Sequence, residues 1–259
     1  MKCRSGDEAR PATVAERVRR RLHSVDRRAA SRDNVPSRST SATPIADPGV
    51  DRSIDAARLR AGFAHCGTVI ARHAAGLTRL DAVLGDGDHG DNLVIGFRAV
   101  DDLLADLPAE TAPGDILRAV GHRLVAAVGG ASGPLYGTAC IEAGFVAGGA
   151  PVLDGPTVAA MLRAAADGLA RRGRCRPGDK TILDTLEPAA MAFEGAIERG
   201  EEPGAAWGSA VEAGAIGMRA TRDLIARRGL AMRLGERSVG HRDPGAASCL
   251  LLLCALGGR

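Results

Sequence analysis

Apolar residues recur at helical spacing along most of this chain, in segments that glycine- and proline-bearing turns separate. Helix-forming residues dominate, whereas the alternating apolar and polar runs that predict half-buried strands are scarce. Residues 53–259 are therefore predicted to form one all-α domain with eight helices. The predicted helices cover residues 53–75, 91–107, 114–128, 134–148, 156–172, 182–199, 203–228 and 244–257.

Two of these helices carry clear local signals. The second has one apolar stripe, which consists of Phe97, Val100, Leu104 and Leu107. Its predicted N-cap is Asp91 or Asn92. The last helix begins at Asp243-Pro244-Gly245, where Asp is a favourable N-cap and Pro suits the first helical position. Its body is apolar nearly all round, which predicts a buried, central helix.

Residues 1–52 are rich in Arg, Ser, Pro and Asp and lack this periodicity, so we expect a disordered tail. Residues 1–50 hold 11 basic and 6 acidic residues, whereas the remaining 209 residues hold 23 and 25. The net charge of +3 therefore belongs to the tail and not to the folded domain. Aromatic residues make up only 2% of the chain, which argues against stacking platforms for single-stranded nucleic acid.

Three further observations bear on the compartment of the protein and on membrane association. The six cysteines show no zinc-binding spacing, and no secretory signal is evident. The longest apolar stretch, Ala246 to Leu256, is far shorter than the ~20 residues that a membrane-spanning helix needs. We therefore expect a cytoplasmic protein with neither a membrane nor a nucleic acid as its partner.

The most informative segment is the acidic turn Leu80 to Asn92, with the sequence LDAVLGDGDHGDN. Its carboxylates repel one another unless a cation neutralises them, and Mg²⁺ or Ca²⁺ prefers such oxygen ligands. The segment fails the EF-hand pattern, because Gly90 stands where a ligand is needed. Asp81, Asp86 and Asp88 are the candidate metal ligands, and a solvated acidic loop is the alternative.

Three further polar, glycine-bearing turns precede predicted helices. They are Gly129 to Thr138 (GGASGPLYGT), Pro177 to Asp184 (PGDKTILD) and Leu234 to Gly245 (LGERSVGHRDPG). Ser132 or Thr138 could bind an anion at a helix N-terminus, and Lys180 could face a phosphate. An ordinary interhelical turn and a capped helix start remain alternatives for the first two. In an up-and-down bundle alternate turns share one end, so all four segments could surround one mouth.

Together these four segments resemble the L subunit, the nucleotide-binding domain, of the dihydroxyacetone kinase family. The resemblance covers about residues 53–257 and rests on LD-x3-GDGDHG-x-N, GGASGPLYGT, GDKT-x2-D and GERSVGH-x-DPG. It implies an antiparallel eight-helix barrel that holds ADP or ATP through two Mg²⁺ ions at one end. Asp81, Asp86 and Asp88 would be the metal ligands.

The resemblance also implies a set of nucleotide contacts. They are His89, Gly90, Asp91, Asn92, Ala131, Ser132, Gly173, Ile182, Asp243, Pro244 and Gly245. The chain departs from the family pattern at one place, because the family reads close to GRASYLGERS where this chain reads GLAMRLGERS. The family's phosphate-associated arginine is therefore Leu230 here, which removes a bidentate contact. Our hypothesis is that Arg233 partly substitutes for it.

The implied activity is phosphoryl transfer to dihydroxyacetone, which in the family is held covalently by a histidine of a separate K subunit or domain. This chain would then need a K-type partner. The phosphoryl donor would be ATP, or bound ADP that a phosphotransferase-system protein rephosphorylates. Two alternatives are a kinase subunit for another small ketose or hydroxyketone, and a catalytically impaired, nucleotide-dependent regulatory protein. A homodimer is a further open possibility.

Overall fold

Eight α-helices make up most of residues 54–258, the part of the chain that this computed structural model describes. The helices are α1 (Ala56–Leu84), α2 (His89–Asp106), α3 (Pro113–Ala127), α4 (Ser132–Ala147), α5 (Gly155–Gly173), α6 (Leu183–Glu198), α7 (Pro203–Ala220) and α8 (Pro244–Leu256). Two short strands, β1 (Ile54–Asp55) and β2 (Val152–Leu153), pair antiparallel. The all-α prediction is confirmed, and the tail predicted at residues 1–52 lies outside the described residues.

The helices form a closed ring, because each packs against the next and α8 packs against α1. Neighbours run in opposite directions. In the α1/α2 pair, for example, Gly90 at the start of α2 lies against Ala74, whereas Gly67 lies against Asp101 further along α2. The antiparallel eight-helix barrel is therefore confirmed. None of the helices between residues 54 and 258 is long and apolar enough to cross a membrane.

Apolar side chains from all eight helices line the inside of the ring. They enclose a mainly apolar cavity of about 540 Å³. Helix α8 packs against α1, α6 and α7, and no residue from Pro244 to Ala255 is exposed. This burial confirms the prediction from its continuous apolar composition. Its predicted start is also confirmed, since the Asp243 carboxylate accepts a 2.7 Å hydrogen bond from the backbone N–H of Ala246.

Three helix ends differ from the predictions. Helix α1 continues past Gly76 to Leu84, because Leu77, Asp81 and Leu84 keep one buried face in register. Helix α2 begins at His89, so the predicted caps Asp91 and Asn92 lie inside the helix.

Helix α7 ends at Ala220 instead of continuing to residue 228, as the sequence predicted. A short 3₁₀ helix, Thr221–Asp223, follows it. The chain then crosses to α8 through a second 3₁₀ segment, Leu230–Ser238, which is interrupted at Gly235. We call residues 221–243 the mouth segment.

Substituting Gly217 should separate α6 from α7. A Cβ atom at Gly217 would overlap the carbonyl oxygen of Asp184 and would lie 2.9 Å from Cγ of Pro188. Because backbone cannot yield as a side chain can, we expect Gly217→Ala to lower the free energy of unfolding by about 1–3 kcal/mol. Urea denaturation measures the change.

Gly195→Ala on α6 is the matched control. Its new Cβ would meet only the flexible end of Arg199, 3.4 Å away. Removing a helical glycine there should stabilise the protein by about 0.5–1 kcal/mol. Equal effects of the two substitutions would contradict the close approach of α6 and α7.

Candidate functional site

The four polar turns meet at one end of the ring. Since neighbouring helices are antiparallel, α2, α4, α6 and α8 all begin at this end. Residues at these four starts line a cavity of about 330 Å³, which we call the mouth cavity. Residues on the mouth segment line it as well. The prediction that the four segments surround one mouth is confirmed.

The three predicted metal ligands converge at the edge of the mouth cavity. Asp81, Asp86 and Asp88 each offer a carboxylate oxygen, and these three atoms lie within 4.8 Å of one another. Asp81 is buried in the last turn of α1, whereas the other two are exposed on the turn that follows. Three hard oxygen donors in one place fit a divalent cation such as Mg²⁺.

Asp81 also shapes the turn that carries its two partners. Its Oδ2 accepts hydrogen bonds from the backbone N–H groups of Gly87, Asp88 and His89, at 3.0, 3.0 and 3.2 Å. Gly87 has φ of +78°, a conformation that favours glycine. The other oxygen, Oδ1, lies so close to Gly85 that a Cβ atom there would overlap it. One carboxylate oxygen thus organises the turn, while the second is available for a cation.

His89 joins three helices through both nitrogens of its ring. Nδ1 lies 3.1 Å from Oγ of Ser132 at the start of α4, and Nε2 lies 2.9 Å from Oγ of Ser248 in α8. Ser248 Oγ also lies 2.6 Å from the hydroxyl of Tyr136. Burial lowers the pKa of His89. The sequence analysis missed Ser248 and Tyr136 as site residues, although Tyr136 is the only tyrosine and lies in the second motif.

Most of the predicted nucleotide contacts do line the mouth cavity. They are His89, Asn92, Ala131, Ser132, Gly173, Ile182, Asp243, Pro244 and Gly245. His89 and Asp243 are the titratable side chains of this set, and Asp243 is the N-cap of α8. Burial raises the pKa of its carboxyl to about 7.

Four predicted site residues lie elsewhere. Asp91, Thr138 and Arg233 are not among the residues that line the mouth cavity, and Thr138 lies well inside α4 instead of at its N-terminus. Gly90 is absent from the lining too and serves helix packing, since a Cβ there would overlap the backbone of Ala74. The structure therefore does not bring these four residues into the cavity lining with the other predicted contacts.

Lys180, a predicted phosphate contact, lines the mouth cavity, but its ammonium group already has partners. The residue is only 1% exposed, and its backbone has φ of +64°. Nζ donates hydrogen bonds to the carbonyl oxygens of Thr221, Leu224 and His241, at 2.6, 3.3 and 2.5 Å. These bonds use all three ammonium donors. The side chain therefore fastens both ends of the mouth segment to the start of α6 and has no donor left for a phosphate.

Additional bonds hold the mouth segment closed at its base. The Gly240 N–H donates to the carbonyl of Arg222 at 2.7 Å, and Arg222 Nε donates back to the Gly240 carbonyl at 3.1 Å. Further along, Leu84 of α1 packs in a small cluster with Ala226 and Ala231. The segment is thus anchored both to itself and to the helix that carries Asp81.

Comparison with known proteins agrees with this arrangement. The DAK2 domain model matches residues 83–258. The chain therefore belongs to the DAK2 domain family. It is 37% identical over 188 residues to the ADP-binding subunit DhaL of the PEP-dependent dihydroxyacetone kinase of Escherichia coli, covering 73% of this chain and 89% of that subunit.

Other similar proteins in which the DAK2-like region is part of a longer chain include two kinases. The D-erythrulose kinase of Mycolicibacterium smegmatis is 37% identical over 227 residues, which is 86% of this chain and 39% of that enzyme. The crystal structure of the dihydroxyacetone kinase from C. freundii with AMP-PNP and Mg²⁺ aligns with a TM-score of 0.59 and 22% identity. The alignment covers 86% of this chain and 38% of the C. freundii chain, and it supports a shared fold.

Within this DAK2 domain, Lys180→Met should be strongly destabilising. Methionine fills a similar volume but leaves one buried and two part-buried carbonyl groups without the Lys180 donor, so we expect a loss of about 3 kcal/mol in the free energy of unfolding. Lys180→Arg should also destabilise the protein, because a planar guanidinium cannot present three donors as an ammonium does. Chemical denaturation measures both losses.

The composition makes the arginine variant informative. Lys2 and Lys180 are the only lysines among 34 basic residues, so the chain uses arginine almost everywhere else. An Lys180→Arg protein as stable as the wild type would show that only a positive charge is needed and would contradict the three-carbonyl anchor.

Proposed function

We propose that this chain is the nucleotide-binding subunit of a kinase that phosphorylates dihydroxyacetone or a related small hydroxyketone. ADP or ATP would bind in the mouth cavity with Mg²⁺, and a separate K-type subunit would hold the acceptor. The observation that carries the proposal is the convergence of Asp81, Asp86 and Asp88 at the edge of a cavity surrounded by helix N-termini. The similarity to DhaL subunits supports it.

The helix starts suit the phosphates of a nucleotide. The N-cap residues of α2, α4 and α6 make no side-chain capping hydrogen bond. The N-terminal N–H groups of a helix lack intrahelical partners, and the helix dipole favours negative charge at this end. The first N–H of α2 already bonds to Asp81 Oδ2 and that of α6 to Thr181 Oγ1. The N–H groups at the start of α4, together with the dipoles of all three helices, would therefore bind the anion.

Phosphoryl transfer depends mainly on positioning and charge neutralisation. Mg²⁺, when bound, would supply much of the neutralisation of the phosphate charge. Asp81, Asp86 and Asp88 would hold it, and the three N–H bonds to Asp81 orient that carboxylate. The network of His89, Ser132 and Ser248 would keep the starts of α2 and α4 and the first turns of α8 in fixed register around the ligand.

A partner subunit would meet the same end of the ring. The mouth segment exposes large apolar side chains at Ile225, Leu230, Met232 and Val239. Apolar groups on a segment beside a ligand cavity suit contact with a second protein. The similarity to the ADP-binding subunit DhaL of E. coli, 89% of which this chain covers, supports the same need for a separate subunit here.

Donor and acceptor each have two candidates. The PEP-dependent activity named for the E. coli relative favours ADP that remains bound and is rephosphorylated by a phosphotransferase-system protein. ADP that dissociates too slowly to permit turnover with free ATP would support this donor. The D-erythrulose kinase relative favours erythrulose as a second acceptor, and parallel assays with both ketoses would distinguish them.

Calorimetric titration of ADP and ATP, with Mg²⁺ and then with EDTA, tests the site. We expect binding that requires Mg²⁺ and that weakens about tenfold or more in Asp86→Asn, because one anionic ligand is lost. Asp102→Asn, which removes an exposed carboxylate on α2, is the matched control and should bind as the wild type does. A wild-type protein that binds neither nucleotide would refute the proposed function.

The subunit contact is tested by Met232→Asp. Met232 is 54% exposed and does not line the mouth cavity, so Mg²⁺–ADP binding should be retained. A charge on the apolar contact should reduce turnover with the K-type subunit by about tenfold or more. Unchanged turnover would exclude Met232 from the contact. Retained ADP binding in the wild type without turnover alongside any K-type subunit would instead favour the regulatory alternative.

A further inference from the structure

The positive charges around the mouth cavity are few and unequal. Three basic residues line it, namely Arg172, Lys180 and Arg228. Lys180 already gives its three donors to backbone carbonyls. The two arginines are therefore the basic side chains of this lining, within residues 54–258, that have donors available for a ligand.

Arg228 differs from Arg172 because a buried carboxylate orients it. Its Nε lies 3.4 Å from Oδ2 of Asp179, whose side chain is only 3% exposed. In the part of the chain that the structure describes, Nη1 and Nη2 of Arg228 have no hydrogen-bond partner. Arg172 lies in the last turn of α5 and has no carboxylate partner among the same residues.

Asp179 is itself held firmly in place. Its Oδ2 accepts a 3.2 Å hydrogen bond from the backbone N–H of Arg176, and its carbonyl oxygen accepts one of 3.0 Å from the N–H of Arg227. The second bond connects the turn before α6 directly to the residue that precedes Arg228. Both the backbone and the Nε of Arg228 are therefore positioned from the same buried residue.

We propose that Arg228 binds the phosphates of the nucleotide through its two free η nitrogens, and that Asp179 is the residue that positions it. This inference rests on the proposed function. A guanidinium whose Nε is fixed presents Nη1 and Nη2 as a planar pair, which matches two oxygens of a phosphate. Arg233, the substitute suggested by the sequence, is exposed and lies outside the lining of the cavity.

This arrangement predicts how the site selects its ligand. The carboxylate cluster would hold a metal ion that neutralises part of the phosphate charge. Arg228 would bind phosphate oxygens whose charge the metal ion does not neutralise. Binding energy from Arg228 should therefore appear with ADP and vanish with adenosine, which carries no phosphate. Replacing a residue that only stabilised the fold would weaken the binding of ADP and of adenosine alike.

The experiment compares Arg228→Gln with Arg227→Gln and Arg233→Gln by titrating Mg²⁺–ADP and adenosine into each full-length protein. Arg227 is exposed, carries the same charge and is not part of the cavity lining. We expect Arg228→Gln to weaken ADP binding between about tenfold and a hundredfold, the range for a charge-assisted phosphate contact, and to leave adenosine binding unchanged. The other two variants should bind ADP within about twofold of the wild type.

The role of Asp179 needs a double-mutant cycle. Asp179→Asn should weaken ADP binding in the wild-type background but add little in the Arg228→Gln background, since the two residues act as one unit. Circular dichroism would check that the Asp179 variants are folded. If they are not, Arg228→Lys replaces this arm of the test. It keeps the charge but loses the planar pair, so ADP binding should stay several-fold weaker than in the wild type, as about 1 kcal/mol of lost bonding implies.

The outcomes separate this inference from the proposed function. Wild-type binding of Mg²⁺–ADP together with an Arg228→Gln protein indistinguishable from Arg227→Gln overturns the role of Arg228 alone. Equal losses for ADP and adenosine overturn it too, because the effect would then be structural. No ADP binding by the wild type overturns both the proposed function and this inference.

Discussion

The antiparallel order of the helices is the constraint on which the rest of the structure depends. Most connections are short, and each helix returns beside the one before it, so every second helix begins at the same end of the ring. That geometry collects four helix N-termini around one cavity, where their dipoles favour negative charge. It also collects residues from turns that lie more than 150 positions apart in the chain, such as Asp86 and Asp243. The candidate site is a consequence of the topology before any particular side chain is considered.

Two buried charged residues of opposite sign then make the mouth rigid. Asp81 accepts three backbone N–H bonds and holds the acidic turn, while Lys180 donates to three backbone carbonyls and holds the mouth segment. A buried charge is tolerated when hydrogen bonds satisfy it fully. Each residue thus uses its burial to organise a loop, and each does so with backbone partners that do not depend on neighbouring side chains.

The DAK2 family relationship and the geometry support the same division of tasks. In the proposed function the acidic turn, the helix starts and Arg228 would bind a nucleotide, whereas the exposed apolar side chains of the mouth segment would contact a second protein. Leu230 belongs to both groups, since it lines the cavity and is 40% exposed. At such a position, leucine could replace the arginine of the family pattern if a neighbouring arginine of the mouth segment supplies the positive charge for the phosphates.

The sequence by itself determined the features whose interactions lie within a few residues of each other. The eight helices, the cap at Asp243 and the grouping of Asp81, Asp86 and Asp88 all depend on local spacing, and the structure contains each of them. Local reasoning was wrong where a distant contact decides the outcome. Helix α1 continues through Gly76 because its buried face goes on packing, and the Lys180 ammonium group has no donor left for a phosphate because it bonds to three carbonyls 41 to 61 residues further along. The bridge from His89 to Ser248, 159 residues apart, likewise exists only because the ring closes. Residue spacing along the chain determines local hydrogen bonds and helix caps. Which distant groups share one buried space is decided only by the closed tertiary structure.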